Sequence, residues 1–152
     1  MTLRADLWFV DSNVLLSNLD SANTVKQRSA HLWLDKLWEH GCGCLSWQVL
    51  NEFYANGTGK IGAPEAVVRK AVETYVGWGP AEFSMGLMQN AWRWVDHAGL
   101  NYWDALILAA AERLGCRWLL TEDFQESRKY GSVEVVNPFR TPPEEFFRQP
   151  PR

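Results

Sequence analysis

The sequence lacks the features that mark membrane proteins and disulfide-stabilised proteins. Its longest uninterrupted apolar run, residues 105–111, is much shorter than the roughly 20 residues that span a bilayer. It has only three cysteines, and the spacing of Cys42 and Cys44 fits neither a zinc knuckle nor a redox pair. We interpret all three cysteines as reduced core residues, with no disulfide and no transmembrane helix.

An excess of positive charge is also absent. Lys and Arg number 15 and Asp and Glu number 18, so the net charge at pH 7 is −3. This balance argues against a protein that coats nucleic acid by bulk charge, but it does not exclude a nuclease. Asp6 lies where a signal peptide would need its apolar stretch, so we expect a cytoplasmic protein.

Short apolar runs alternate with helical patterns along the chain, and 47% of its 152 residues are hydrophobic. Strands are predicted at residues 7–10, 43–45, 117–120 and 133–136, with helices at 24–39, 46–57, 64–77, 84–97 and 103–114. This alternation predicts an α/β fold with a short central parallel sheet flanked by helices. We expect one domain over residues 1–140 and a loosely held Pro-rich tail over 141–152.

Four carboxylates occupy distinctive positions in this pattern. Asp11 and Asp123 follow predicted strands, Asp104 lies in the first turn of a helix, and Glu52 lies on an apolar helix. Ligands of open α/β sheets bind at the carboxyl ends of the strands, so these acids are candidates for one site. Taken singly, each aspartate is also explained as a helix cap, a dipole partner or a turn residue.

Carboxylates that converge without Lys or Arg repel one another unless a divalent cation neutralises them. A site of oxygen ligands alone favours Mg²⁺ or Mn²⁺ over zinc. Such a cation activates water for in-line attack on a phosphodiester and stabilises charge on the phosphoryl oxygens. The pattern therefore favours metal-dependent hydrolysis of a phosphodiester.

The sequence resembles the PIN-domain family, and within it the VapC-type toxins of type II toxin-antitoxin pairs. The resemblance is carried by residues 9–15 (FVDSNVL), 49–54 (VLNEFY), 103–111 (WDALILAAA) and 119–124 (LLTEDF), and by the ending 136–139 (VNPF). It implies a Rossmann-like three-layer fold and a Mg²⁺- or Mn²⁺-dependent endoribonuclease that acts on RNA. It further implies a homodimer and inhibition by a cognate antitoxin protein.

By position in these motifs, the resemblance gives the catalytic and metal-binding roles to four acids, and it places two hydroxyl residues beside them. The acids are Asp11, Glu52, Asp104 and Asp123, and the hydroxyl residues are Ser12 and Thr121. Asp123 is preferred to the adjacent Glu122, because the family places its ligand second after the threonine.

Two other functions remain open at this point. Asp11 could act as a covalent nucleophile in phosphotransfer, although the second acid that such phosphatase sites carry two residues later is replaced by Asn13. Alternatively, the fold could be a catalytically silent module that binds RNA or protein. Trp103, beside Asp104, could stack on a base, but we expect it to be buried in the core.

Overall fold

Five short strands form one sheet in the computed structural model, which describes residues 6–148. They are β1 (Trp8–Val10), β2 (Gly43–Cys44), β3 (Trp118–Leu120), β4 (Lys129–Tyr130) and β5 (Val133–Val136). Their order is β2-β1-β3-β5-β4, with β4 antiparallel to β5 and the other pairs parallel. The predicted α/β fold with a mostly parallel sheet is confirmed. The antiparallel edge strand β4 was not predicted, because its two residues carry no apolar run.

Six α-helices within residues 6–148 flank the sheet. They are α1 (Ser12–Leu19), α2 (Thr24–His40), α3 (Trp47–Thr58), α4 (Glu65–Tyr75), α5 (Met85–Ala98) and α6 (Tyr102–Arg113). Five of them lie within two residues of their predicted bounds. Helix α1 is absent from the predicted elements, since its eight residues follow directly on a strand and its start coincides with a turn-like Asp-Ser-Asn segment. No helix in the described residues is long and apolar enough to cross a membrane.

Helix α6 is the central helix of the fold. Seven consecutive residues, 105–111, are buried in it, because it packs against both β3 and β5 and is covered by α5. Four of the seven are alanines, whose small side chains leave room for neighbouring elements to approach. This packing fixes the start of α6, and with it Asp104, relative to the ends of the strands.

Aromatic side chains fill the core at the amino-terminal end of the sheet. Measured between ring centroids, the indole of Trp8 lies 4.9 Å from that of Trp33 and 5.3 Å from that of Trp118. Cys42, Cys44 and Cys116 are free and buried, as the cysteine pattern predicted. The aromatic cluster of Trp8, Trp33 and Trp118 therefore lies at the end of the sheet opposite to Asp11.

The start of the Pro-rich tail belongs to this aromatic cluster, so the expectation that it is loosely held was wrong for residues 141–147. The carbonyl of Thr141 accepts a hydrogen bond from the indole nitrogen of Trp33 at 2.9 Å. Phe146 packs edge-on against Trp8, with ring centroids 4.9 Å apart. Partial burial of Phe146 and Phe147 against the core offsets the low order that a Pro-rich composition favours. Residues 149–152 lie outside the described part of the chain.

Candidate metal-binding active site

Two of the predicted carboxylates are brought together by the pairing of β1 with β3. Val10 pairs with Leu120, and the backbone N–H of Asp11 donates to the carbonyl of Leu120 at 3.1 Å. The parallel strands therefore end side by side, and the residues that follow them share one edge of the sheet. Asp11 follows β1 directly, and Asp123 lies three residues after the end of β3.

Asp11 is buried, with 4% of its surface exposed. One carboxylate oxygen accepts a hydrogen bond from the backbone N–H of Ser12 at 2.8 Å, and the other accepts one from the hydroxyl of Thr121 at 2.9 Å. Burial raises the pKa of Asp11 from 3.8 to about 7; these hydrogen bonds oppose the rise, and repulsion from Glu52 and Asp123 adds to it. The fold thus buries the carboxyl group of Asp11, and no ion pair in the described residues neutralises its charge.

Asn13 joins Asp11 to Asp123. Its side-chain nitrogen lies 3.3 Å from Oδ2 of Asp11, 3.0 Å from Oδ2 of Asp123 and 3.0 Å from Oγ1 of Thr121. Its own amide oxygen accepts from the backbone N–H of Glu122 at 3.4 Å. The amide therefore fixes the loop after β3 against the start of α1. This role was not predicted; the only signal in the sequence is the position of an asparagine two residues after Asp11.

Glu52 projects from α3 with both carboxylate oxygens hydrogen-bonded. Oε2 accepts from the hydroxyl of Ser12 at 2.7 Å, and Oε1 accepts from the amide of Gln48, one helical turn earlier, at 2.9 Å. A half-buried carboxylate on an apolar helix requires such partners. Because both donors are neutral, they orient Glu52 without neutralising its charge.

Asp104 is the third residue of α6, as predicted, and Asn101 caps the helix. The side-chain oxygen of Asn101 accepts from the backbone N–H of Asp104 at 3.0 Å, and its nitrogen donates to Oδ2 of Asp104 at 2.7 Å. Partial burial raises the pKa of Asp104, and repulsion from Asp123 and Glu52 adds to the rise. The amide of Gln48 donates to both Oε1 of Glu52 and the backbone carbonyl of Trp103, so the start of α6 lies beside Glu52.

No Lys, Arg or His neutralises this group of acids within residues 6–148. None of the ion pairs there involves Asp11, Glu52, Asp104 or Asp123. The adjacent Glu122, by contrast, forms an ion pair with Lys26 at 2.6 Å. The structure therefore separates Glu122, which forms an ion pair, from Asp123, which forms none in the described residues.

The donor set fits a hard divalent cation, since it consists of carboxylate oxygens assisted by amide and hydroxyl oxygens. In the described part of the chain, no three acidic, His or Cys side chains are already arranged at chelating distance. Neutral donors lie between the carboxylates instead: Ser12, Asn13, Gln48 and Thr121. Because these donors are neutral, the negative charge of the carboxylates is left for a cation to neutralise.

A cleft of about 500 Å³ opens beside the carboxylates. Glu52 and Asp123 lie on its wall together with Asn56 and Lys60. Its lining is polar and carries both signs of charge, so it can admit a phosphate-bearing chain next to the acids. The hydroxyl of Ser12, on the wall of this cleft, donates to Glu52, and the hydroxyl of Thr121 donates to Asp11.

Trp103 is not part of the core, contrary to the expectation from sequence. Its side chain is 64% exposed. In the first turn of a helix there is no preceding turn for a side chain to cover, and the buried face of α6 begins only at residue 105. The indole therefore stands in solvent beside Asp104.

A family model described as PIN domain matches residues 8–131 of the chain, which is more than half of its length. All four carboxylates lie within the matched residues. Among curated proteins, no significant match to the chain is found.

Proposed function

The chain belongs to the PIN domain family, and on this premise we propose that it is a Mg²⁺- or Mn²⁺-dependent endoribonuclease that hydrolyses RNA phosphodiesters. Membership of the family by itself indicates a nuclease-type function, and nucleases of this family typically use divalent metals. The observation that carries the finer proposal is the meeting of four carboxylates at one sheet edge with neutral donors only. They are Asp11, Glu52, Asp104 and Asp123.

In this proposal the four carboxylates hold the cation, which when bound supplies a water of lowered pKa and stabilises charge on the phosphoryl oxygens. The chain's own neutral groups orient the carboxylates. Ser12 and Gln48 each fix one oxygen of Glu52, while Asn101 fixes Asp104 at the start of α6. Outer hydrogen bonds of this kind set the direction of metal ligands and are needed for full activity.

We extend the proposal to biological role: the protein is the toxin of a type II toxin-antitoxin pair, acts on RNA in the cytoplasm, forms a homodimer and is inhibited by a cognate antitoxin. The support for this extension is the resemblance of four sequence motifs to VapC-type toxins. The net charge of −3 is compatible with it, because leaving out the four site acids makes the remaining balance 15 − 14, or +1. Excess negative charge therefore lies at the site that a cation would neutralise.

The test is cleavage of a structured RNA pool with Mg²⁺ or Mn²⁺, with and without chelator. We expect the wild type to cut and the chelator to stop it. Asp104→Asn should fold normally, because the hydrogen bond from its backbone N–H to Asn101 remains, yet lose cleavage. The pair Asp123→Asn and Glu122→Gln gives a matched control: the first should lose cleavage, and the second should keep it because Glu122 already pairs with Lys26.

Full activity of Asp104→Asn would overturn the assignment of the site. A wild type that is folded, binds RNA and binds neither Mg²⁺ nor Mn²⁺ by calorimetry would favour the catalytically silent binding module. A phosphorylated Asp11, trapped after incubation with a phosphodonor, would instead support covalent phosphotransfer.

A further inference from the structure

Trp103 is more exposed than any other Trp or Phe in the described residues. A single exposed apolar side chain is ordinary on a protein surface, so exposure by itself indicates nothing. What distinguishes Trp103 is its position: its neighbour in the chain is Asp104, which lies in the candidate active site. An indole that is 64% exposed next to such a residue can contact whatever enters that site.

The backbone of Trp103 is tied to the carboxylates from two directions. It is bonded to Asp104 in the chain, and its carbonyl oxygen accepts a hydrogen bond from the amide of Gln48 at 3.2 Å. The same amide donates to Oε1 of Glu52 at 2.9 Å. The peptide that carries the indole therefore keeps a fixed relation to two of the four acids.

The indole itself has limited freedom. The ring of Tyr102 meets it in a T-shaped contact, with centroids 5.4 Å apart and planes inclined at 64°. Both residues belong to the first turn of α6, whose start is fixed by the cap of Asn101 on Asp104. Aromatic side chains on a rigid element make better contact surfaces than those on loops, because less conformational entropy is lost on binding.

Glu52 is hydrogen-bonded both to a residue of the cleft wall and to the residue that holds the backbone of Trp103. Its Oε2 accepts from Ser12, which lines the cleft, whereas its Oε1 faces Gln48 and through it Trp103. The cleft wall at Ser12 and the backbone of Trp103 are therefore both joined to Glu52, through different carboxylate oxygens. A nucleotide chain that crosses the carboxylates can place phosphates toward the cleft and a base toward Trp103.

We propose that Trp103 stacks on a base of the RNA beside the phosphodiester at the carboxylates. The proposal rests on the proposed nuclease function. In a duplex the base faces are covered by neighbouring base pairs, whereas an unpaired base can stack on an aromatic ring. With a net charge of −3, the chain gains little from bulk attraction to a polyanion, and stacking supplies affinity that does not depend on charge.

The experiment measures binding without cleavage, by fluorescence anisotropy in chelator and low salt. The probes are a labelled single-stranded oligoribonucleotide of about eight nucleotides and a strand of the same length without bases. The wild type should bind the base-bearing strand more tightly than the abasic strand. Trp103→Leu should weaken binding of the base-bearing strand on the order of tenfold and leave the abasic strand unchanged.

Two further variants separate stacking from a structural effect. Trp103→Phe keeps an aromatic face and should retain most of the preference for the base-bearing strand. Trp92→Leu removes another exposed indole, 47% exposed on α5 and not part of the cleft lining, and should behave as the wild type. Equal urea midpoints for the four proteins would show that binding changes do not arise from unfolding.

A Trp103→Leu protein with wild-type discrimination between the two strands would overturn the proposal, and the exposed indole would then belong to a contact with protein. A wild type that does not discriminate would overturn it as well. The proposed function fails in a different way, since a protein that discriminates between the strands but does not cut RNA with Mn²⁺ supports stacking and contradicts catalysis. Asp104→Asn should keep the discrimination while losing cleavage.

Discussion

Replacing Asp11 by Asn should change how the stability of the metal-free protein depends on pH. The pKa of Asp11 is raised from 3.8 to about 7 in the folded protein, chiefly by burial. The folded state therefore holds this proton more tightly than the unfolded chain, and the resulting stability is fully present below pH 3.8 and lost as pH rises through about 7. A rise of about 3 units at about 1.4 kcal/mol each is a loss of up to about 4 kcal/mol.

The assay is urea unfolding followed by tryptophan fluorescence, in chelator, at a series of pH values across this window. As pH rises, the wild type should lose up to about 4 kcal/mol of free energy of unfolding relative to Asp11→Asn. Comparing the two proteins cancels the titration of the acids that do not interact with Asp11. The change of this difference with pH is also independent of any constant cost of an amide that faces the donors Ser12 and Thr121.

A difference that stays constant with pH would refute the conclusion that Asp11 is buried without compensation. The same series with Mn²⁺ gives a second check. A cation favours the ionised carboxylate, so at the upper end of the window Mn²⁺ should raise the stability of the wild type more than that of the variant.

Two further predictions concern packing and the hydrogen bonds of the site. Gly43→Ala places a Cβ 2.5 Å from the indole of Trp78 and should lower the free energy of unfolding, measured by urea titration, by about 1–3 kcal/mol. Gly77→Ala is the control: its Cβ meets nothing within 4 Å, so the free energy of unfolding should be nearly unchanged. Asn13→Ala removes the amide that bridges two aspartates and should reduce cleavage about 10- to 100-fold. An Asn13→Ala protein of unchanged activity would contradict the bridging role.

Much of the fold could be predicted from local patterns. Helix α3 begins after Ser46, whose side chain accepts from the backbone N–H of Val49 as an N-cap does. Helix α2 ends at Gly41 in the left-handed conformation that glycine tolerates. These signals depend on neighbouring residues alone, so they can be recognised without the tertiary structure. Helix α1 and strand β4 were not predicted, because α1 follows directly on β1 and the two residues of β4 form no apolar run.

The sequence alone was enough to name the four acids as candidates, since each stands at the end of a strand, the start of a helix or in an apolar surrounding. It could not indicate how Asn13 joins Asp11 to Asp123, because that contact joins segments 110 residues apart. The contacts of Gln48 with Glu52 and of Asn101 with Asp104 are local, but they were not predicted. The exposure of Trp103 was equally hidden, as a tryptophan in an apolar helix is more often buried.

The sequence by itself determined the helices and strands other than α1 and β4, and the acidic character of the candidate site, because caps, apolar periodicity and charge are local properties. The tertiary structure alone decided which groups meet. The parallel pairing of β1 with β3 brings Asp11 to Thr121, and the same fold leaves these carboxylates without a Lys or Arg partner in the described residues. Electrostatic repulsion and burial act through space, so the raised pKa of Asp11 exists only once the chain has folded.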